Sequence, residues 1–247
     1  MGIGEACVRT FAAGGGKCVI LDLDQGRGEE LIGQLPSGLA IFIRTDVSAE
    51  EQVAAAVDRA IGEFGRAGIL VNVAGISSVF GPALIENIDI ALWTKMMSVN
   101  LTGTFLMTKY TIPLMKRQRY GRIVNIASTA VLGAGYRGQA PYCASKASVV
   151  GLMLAVTREG GPFGIRCNAV GPGPTKTPSR TLLVQKEREI ERTVPVGFIA
   201  DAVDVANPVA FLSSKLARFI TGQLLFVDGG VSIPWNIDHI VPVAEQA

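Results

Sequence analysis

The fold is decided by the stretch GIGEACVRTFAAGGGKCVILD, residues 2–22. Its two leading glycines precede a helical pattern at 5–13, and an apolar strand pattern at 17–22 ends in Asp22. This order is the second half of a phosphate-binding loop, followed by the helix and strand that normally come after it. Such a loop normally follows a strand, and here none precedes it. We therefore expect a nucleotide-binding sheet that lacks its first strand.

The rest of the chain alternates between strand and helix patterns. Further strands are predicted at 40–45, 68–75, 121–128, 165–173 and 223–230. The helix before the third strand has a capping-box pair, Ser48 and Glu51, and a long apolar helix is predicted at 88–117. This alternation predicts an α/β fold, a doubly wound parallel sheet with helices on both faces. We expect one domain over 1–247, with a substrate flap at 174–195.

Composition narrows the class of protein. Hydrophobic residues make up 49% of the chain, which excludes a disordered protein, and the net charge of +2 with scattered Lys and Arg indicates no nucleic-acid surface. The four cysteines form no CxxC pair and there is one histidine, so we expect no metal site and free thiols. No signal-peptide pattern or uninterrupted membrane-length apolar run occurs, so a cytoplasmic protein without a membrane partner is expected.

Three residues suggest acid–base chemistry. Tyr142 and Lys146 lie one turn apart on a helix predicted at 140–159, and Ser128 ends a predicted strand. An ammonium near a phenol favours the phenolate, so such a tyrosine can exchange a proton with an alcohol or ketone oxygen. A neighbouring serine hydroxyl can bond the same oxygen. A lone Y-x-x-x-K spacing is more often a helix-surface pair, so this interpretation depends on the other motifs.

Together these motifs resemble the short-chain dehydrogenase/reductase family, of the compact single-domain type, over residues 2–232. The matching segments are GIG at 2–4, Asp22, the pair Asp46-Val47, the asparagine of VNLTGTF at Asn100, the set Ser128, Tyr142 and Lys146, GPGPTKT at 171–177, and ITGQLLFVDGG at 220–230. One departure is VNVAG at 71–75, where Val73 replaces the second asparagine of the family's usual NNAG.

The resemblance implies four catalytic residues. Tyr142 would donate or accept the proton, and Lys146 would favour its ionised form and bind the nicotinamide ribose. Ser128 would orient the substrate oxygen. Asn100 would hold a water that links Lys146 to solvent.

The resemblance also implies NAD as cofactor, with no metal. Asp22 would accept hydrogen bonds from the ribose hydroxyls and repel a 2′-phosphate, and Asp24 offsets the positive charge of nearby Arg27. The implied cofactor-binding residues are Gly2, Ile3, Gly4, Asp22, Asp46, Val47, Asn72, Ala74, Gly75, Tyr142, Lys146, Pro172, Gly173, Thr175 and Thr177.

The expected function is an NAD(H)-dependent oxidoreductase that interconverts a small secondary alcohol and its ketone, in a homo-oligomer of two or four copies. Substrate contacts are expected from 77–84, 130–139 and the flap. The alternative is a non-catalytic or cofactor-deficient relative, because the first strand and the leading loop glycines are missing.

Overall fold

The computed structural model describes residues 2–77, 84–132, 138–178 and 187–233. The strands are β1 (Cys18–Asp22), β2 (Ala40–Arg44), β3 (Ile69–Asn72), β4 (Gly121–Ile126), β5 (Ile165–Pro172) and β6 (Leu224–Val227). The α-helices are α1 (Ile3–Ala13), α2 (Gln25–Gly33), α3 (Glu50–Phe64), α4 (Ile90–Met97), α5 (Gly103–Gln118), α6 (Ala140–Gly160), α7 (Glu187–Glu191) and α8 (Ala202–Ser213). All six predicted strands are present, each within three residues of its expected ends.

The strands are parallel, and they form two separate sheets. β1 pairs with β2, while β3, β4, β5 and β6 form a four-stranded sheet in that order. Among the described residues no strand joins β1 to β3, so the sheet is interrupted where the sequence predicts a missing strand. The doubly wound α/β fold is thereby confirmed, together with its interruption.

Helices cover both faces of the four-stranded sheet. Helix α8 packs with α1 on one face, where the core includes Val124, Val170 and Val209. Helices α3, α5 and α6 pack on the other face, around a core that includes Ile123 and Met153. Successive residues of a strand point to opposite faces, so a strand covered on both sides is apolar throughout. β4 is covered in this way, since all six of its residues are buried, and among them only Arg122 and Asn125 are charged or polar.

The capping box predicted for α3 is wrong. The helix begins at Glu50, and its N-cap residue Ala49 makes no side-chain cap. Ser48 instead donates both its hydroxyl and its backbone N–H to Asp46 Oδ1, at 2.6 Å and 2.9 Å. The serine is thereby held in the preceding turn by charge-assisted bonds to a carboxylate, and it does not accept the free N–H groups of the helix N-terminus.

The long helix predicted at 88–117 is interrupted in its middle. A π-helical turn over Ser98–Thr102 separates α4 from α5, and Asn100 lies in this turn. Such turns change which way side chains project, and they are frequent at functional sites.

Helix α6 and its short extension, Ala140–Phe163, are long and apolar enough to span a membrane by length and composition. A core helix passes the same test, and α6 packs against β5 with Lys146, Val149 and Met153 buried.

Candidate active site

A cavity of about 2020 Å³ opens where the strands end. The loops that follow β1 to β5 all contribute to its wall, as expected for the ligand-binding edge of a doubly wound sheet. Two predicted site residues, Gly2 and Asn100, are absent from the lining. The predicted residues that line it are Ile3, Gly4, Asp22, Asp46, Val47, Asn72, Ala74, Gly75, Ser128, Tyr142, Lys146, Pro172, Gly173, Thr175 and Thr177.

Lys146 is the buried charge of the site. Its side chain is 5% exposed, and its Nζ donates a 2.7 Å hydrogen bond to the carbonyl of Ile126, at the end of β4. The Nζ lies 5.9 Å from the centre of the Tyr142 ring, because the two residues share one face of α6. Burial lowers the pKa of Lys146 from its ordinary 10.5 to about 8. The structure thus brings the predicted pair together beside the cavity.

Asn100 ties three elements together under the cavity floor. Its Oδ1 accepts the N–H of Ile76 at 2.8 Å, and its Nδ2 donates to the Ile76 carbonyl and to Ser145 Oγ, at 2.9 Å and 3.0 Å. The π-helical turn, the loop after β3 and helix α6 are therefore joined through one buried amide. Asn100 is a positioning residue in this structure, since it holds Ser145 one residue before Lys146.

Gly75 lies where that amide meets the lysine. A Cβ at this position would lie 3.2 Å from Asn100 Oδ1 and 3.3 Å from Lys146 Nζ. Any side chain there would crowd both groups, so only glycine lets the loop pass this close.

Ser128 lies two residues beyond β4, on the cavity wall opposite the start of α6. Its Oγ accepts the N–H of Ala130 at 3.1 Å. A serine after a strand commonly accepts such a local hydrogen bond from a nearby backbone N–H, and here the bond fixes the position of the oxygen. The hydroxyl therefore has a defined place in the wall that contains Tyr142 and Lys146.

The N-terminus of α1 also lines the cavity, through Ile3 and Gly4. Gly2 is its N-cap residue, with φ 132°, and the Gly2 carbonyl accepts the N–H of Ala6 at 3.0 Å. A Cβ on Gly2 would lie 3.1 Å from Thr177 Cγ2, so Gly2 brings the segment after β5 against this helix end. Unpaired N–H groups in a first helical turn attract anions such as phosphate.

Asp22 stands at the end of β1 on the same wall. Its Oδ1 accepts the N–H of Asp24 at 3.1 Å, which fixes the carboxylate at the mouth of the cavity. Asp24 caps α2 and pairs with Arg27, with 3.5 Å between Oδ2 and Nε. Arg27 is therefore held by a carboxylate of its own, while Arg44 is the register partner of Asp22 on β2.

The turn after β2 supplies a second carboxylate. The hydrogen bonds that Ser48 donates hold the pKa of Asp46 below its ordinary value, so this carboxyl is ionised at neutral pH. The next residue, Val47, packs against α5, where a Cβ on Gly103 would lie 2.7 Å from Val47 Cγ2.

Asn72 has a role that the sequence did not reveal. Its Nδ2 donates to Asn125 Oδ1 at 2.8 Å, across the register pair that links β3 to β4. The amide is buried and serves the sheet, while the loop that starts after it lines the cavity.

The turn after β5 is held from two sides. The carbonyl of Pro172 accepts from Thr129 Oγ1 at 3.4 Å, and the N–H of Gly173 donates to Val227 at 3.0 Å. A Cβ on Gly173 would lie 2.7 Å from the Cα of Asp228, so the turn depends on glycine.

Sequence reasoning missed Ser145, Ile76 and Asn125, which orient the predicted residues. Each acts through a partner distant in sequence, such as Ser145 with Asn100, and no local pattern reports such pairs. The available sequence signal for Ser145 was that it is a small residue directly before Lys146. Much of the expected substrate-binding region, including residues 78–83, 133–137 and 179–186, lies outside the described residues.

The residues present fit a nicotinamide dinucleotide. Gly75 leaves room beside Lys146, the α1 N-terminus suits a phosphate, and the Asp22 carboxylate suits a ribose hydroxyl. These groups all line one cavity.

Comparisons with known proteins agree with this site. The family model described as enoyl-(acyl carrier protein) reductase matches residues 1–232. A cis-4-hydroxycyclohexanecarboxylate dehydrogenase of Sinomonas cyclohexanicum is 37% identical over 235 residues, covering 93% of this chain and 92% of that one. An uncharacterized short-chain type dehydrogenase/reductase, y4mP, of Sinorhizobium fredii is 36% identical over 238 residues, covering 94% and 93%.

A solved structure is similar along nearly the whole chain. It is described as ElxO with NADP bound, and it superposes with a TM-score of 0.85 at 31% identity, covering 93% of this chain and 94% of that one.

Proposed function

The chain belongs to the short-chain dehydrogenase/reductase family, and we propose that it is an NAD(H)-dependent oxidoreductase that interconverts a secondary alcohol and a ketone. One observation carries the proposal. Lys146 is buried one turn below Tyr142, with its Nζ 5.9 Å from the ring centre, and Ser128 lines the same cavity. That arrangement supports a proton-exchanging phenol and a hydroxyl that act on one reacting oxygen.

Each side chain has a distinct task in this proposal. When bound, the dinucleotide supplies the hydride chemistry. Tyr142 moves the proton of the substrate oxygen, and Ser128 donates a hydrogen bond to that oxygen. The Lys146 ammonium stabilises the tyrosinate, and its bond to Ile126 fixes where that charge sits. Asn100 holds the loop after β3 in place beneath these groups.

NAD is proposed over NADP on the basis of Asp22. Its carboxylate is fixed at the end of β1, and the neighbouring Arg27 is paired with Asp24. A 2′-phosphate beside these carboxylates would be repelled. The related structure with NADP bound makes the choice a direct experimental question.

The substrate class is proposed from the relatives. Two of them act, by their names, on 4-hydroxycyclohexanecarboxylates, so cyclic secondary alcohols bearing a carboxylate are the first compounds to test. A homo-oligomer is also proposed, supported by large apolar side chains exposed on the outer faces of α5 and α6, Phe105 at 46% and Leu154 at 50%.

The proposal is tested by a panel of cyclic and linear secondary alcohols, each assayed with NAD and with NADP by absorbance of the reduced cofactor. We expect turnover of at least one alcohol, with NAD preferred. No turnover with either cofactor, in either direction, would contradict the oxidoreductase proposal, and a preference for NADP would contradict the cofactor assignment alone.

A second candidate function is supported by the interrupted sheet. Among the described residues no strand joins β1 to β3 beside the α1 N-terminus, which is the end of the site suited to a phosphate. The alternative is therefore a relative that binds cofactor weakly or not at all. A calorimetric titration with NADH distinguishes the two, because saturable binding supports the enzyme and absence of binding supports the cofactor-deficient relative.

A further inference from the structure

The cavity wall next to Asp22 comes from the turn after β2 and from α4. Thr45 donates its N–H to the Asp22 carbonyl at 3.0 Å, so that turn starts beside Asp22. A dinucleotide with its diphosphate at the α1 N-terminus and a ribose at Asp22 would place its adenine base against this turn. We define the base cleft as the part of the cavity that is lined by Asp46, Val47, Lys95, Val99 and Gly103.

One wall of the base cleft is a stripe of helical residues. Lys95 of α4, Val99 of the π-helical turn and Gly103 at the start of α5 follow one another at intervals of four positions, and all three line the cavity. Residues at this spacing lie on one face of a helix. A Cβ on Gly103 would lie 2.7 Å from Val47 Cγ2, so the stripe meets the turn after β2 there. The stripe therefore leads from an apolar contact to the ammonium of Lys95.

Asp46 supplies the acceptor of the base cleft. Ser48 donates both of its hydrogen bonds to Oδ1, and no hydrogen bond among the described residues reaches Oδ2. The bonds from Ser48, and after them the positive charges of Lys95 and Arg44, hold the pKa of Asp46 below its ordinary value. An ionised carboxylate with one oxygen still available suits an amino group such as the one that adenine carries.

Lys95 is the cation of the base cleft. Its side chain is exposed, and no carboxylate of the described residues forms an ion pair with it. Its charge nevertheless acts on Asp46, whereas Arg44, which also does so, is not among the described residues that line the cavity. An anion and a cation that share a cleft with apolar side chains, and that do not pair with each other, fit a flat ring with both a donor and an acceptor.

We propose that Lys95 binds the adenine ring of the dinucleotide, with its ammonium donating to a ring nitrogen while Asp46 accepts from the amino group. Adenine carries this combination of an amino donor and ring-nitrogen acceptors. Because it requires a bound dinucleotide, this role of Lys95 rests on the proposed function. The competing ligand for the ammonium is the 2′-phosphate of NADP, which would be repelled by the Asp46 carboxylate in the same cleft.

The test is calorimetric titration of the whole chain with NADH, with NADPH and with reduced nicotinamide mononucleotide, which lacks the adenosine half. Lys95→Met should weaken NADH binding roughly fivefold, as expected for one exposed charge-assisted contact, and should leave mononucleotide binding unchanged. Lys95→Arg keeps the charge and should retain most of the NADH affinity. Lys109→Met is the matched control, because Lys109 is an exposed lysine of α5 outside the cavity lining, and its loss should change neither affinity.

The possible outcomes separate this role of Lys95 from the proposed function. Unchanged NADH affinity in Lys95→Met would overturn the role and leave the proposed function intact. Equal weakening of mononucleotide binding would also overturn it, because the lysine would then act on the nicotinamide half or through the fold. A loss of NADPH affinity several times larger than that of NADH would assign the lysine to the 2′-phosphate instead. Absence of NADH binding by the parent chain would contradict the cofactor proposal, and the role of Lys95 with it.

Discussion

Two isoleucines in neighbouring strands show how a central strand differs from a strand at the edge of the described sheet. Ile123 in β4 is 1% exposed, while Ile69 in β3 is 42% exposed. β4 pairs with a strand on each side, whereas β3 pairs with β4 alone among the described strands. Ile69 therefore lies at an edge of the described sheet, where its side chain contacts water, although its neighbour Leu70 is buried.

The functional residues divide between two halves of the molecule, which are the four-stranded sheet and the two-stranded sheet, each with its helices. The half with the four-stranded sheet contains Ser128, Tyr142 and Lys146, on loops and helices that pack against β4 and β5. The half with the two-stranded sheet contains Asp22 and Asp46, which follow β1 and β2. The acid–base groups are therefore fixed by a complete core, and the carboxylates expected to bind the adenosine end stand on a two-stranded piece.

The largest expected effect is a stability difference between the two isoleucines. Ile123→Ala should lower the free energy of unfolding by about 2–5 kcal/mol, because it opens a cavity in a packed core. Ile69→Ala should cost less than about 1 kcal/mol, because that side chain still contacts water. Urea unfolding of both variants measures the contrast. Equal losses would mean that Ile69 is as well packed in solution as Ile123, and the comparison would then fail.

A pH-dependent effect is expected for Lys146. Its folded pKa of about 8 lies below its ordinary 10.5, so the cost of burying the charge is fully present below pH 8. That cost is relieved as the pH rises to about 10.5, because the folded protein releases the proton before the unfolded chain does. The stability of the chain relative to Lys146→Met should therefore rise by about 3 kcal/mol across this interval.

The matched control for the loss of a lysine is Lys95→Met, at an exposed position of α4. The measurement is the urea midpoint at closely spaced pH values. A difference between the chain and Lys146→Met that stays constant with pH would refute the burial argument.

A smaller effect is expected where the two halves touch. Gly103→Ala would place a Cβ 2.7 Å from Val47 Cγ2, so α5 must move away from the turn after β2, at about 1–3 kcal/mol. Gly62→Ala in α3 is the control, because a Cβ there meets nothing within 4 Å and alanine favours a helix. Thermal melting should place the first variant below the parent and the second at or above it. A stabilised Gly103→Ala would show that this contact does not join the halves.

The smallest effect is expected at the cofactor end. Asp22→Asn removes an exposed negative charge, which is worth about 1 kcal/mol near a 2′-phosphate in water. The ratio of kcat/KM for NAD to that for NADP should therefore fall about fivefold. Asp24→Asn, two positions beyond Asp22 and paired with Arg27, tests whether the effect is specific. An unchanged ratio in Asp22→Asn would remove the basis for the cofactor assignment.

Local sequence patterns predicted the helices and strands, whereas hydrogen bonds between residues distant in sequence were not predicted. The strands were found because buried parallel strands are continuous apolar runs, and the interruption before α1 was visible as a loop without its strand. The Asn100–Ser145 and Asn72–Asn125 bonds were not predictable, since each joins residues more than forty positions apart. The capping box failed because Asp46, two residues away, competes for Ser48.

Some of the site also follows from geometry that no pattern encodes. The π-helical turn at Ser98–Thr102 directs Asn100 towards Ile76, although the sequence there is that of an ordinary helix. The need for glycine at Gly75 arises from two side chains that arrive from other helices.

The central claim is that Tyr142 performs acid–base chemistry in a site that is already assembled. The direct test compares kcat and NADH affinity for Tyr142→Phe and for Cys143→Ser, the adjacent position on α6, using the best alcohol of the panel. We expect Tyr142→Phe to lower kcat by roughly 10²–10⁴-fold with little change in NADH affinity, and Cys143→Ser to leave kcat unchanged. Turnover that survives in Tyr142→Phe would contradict the account.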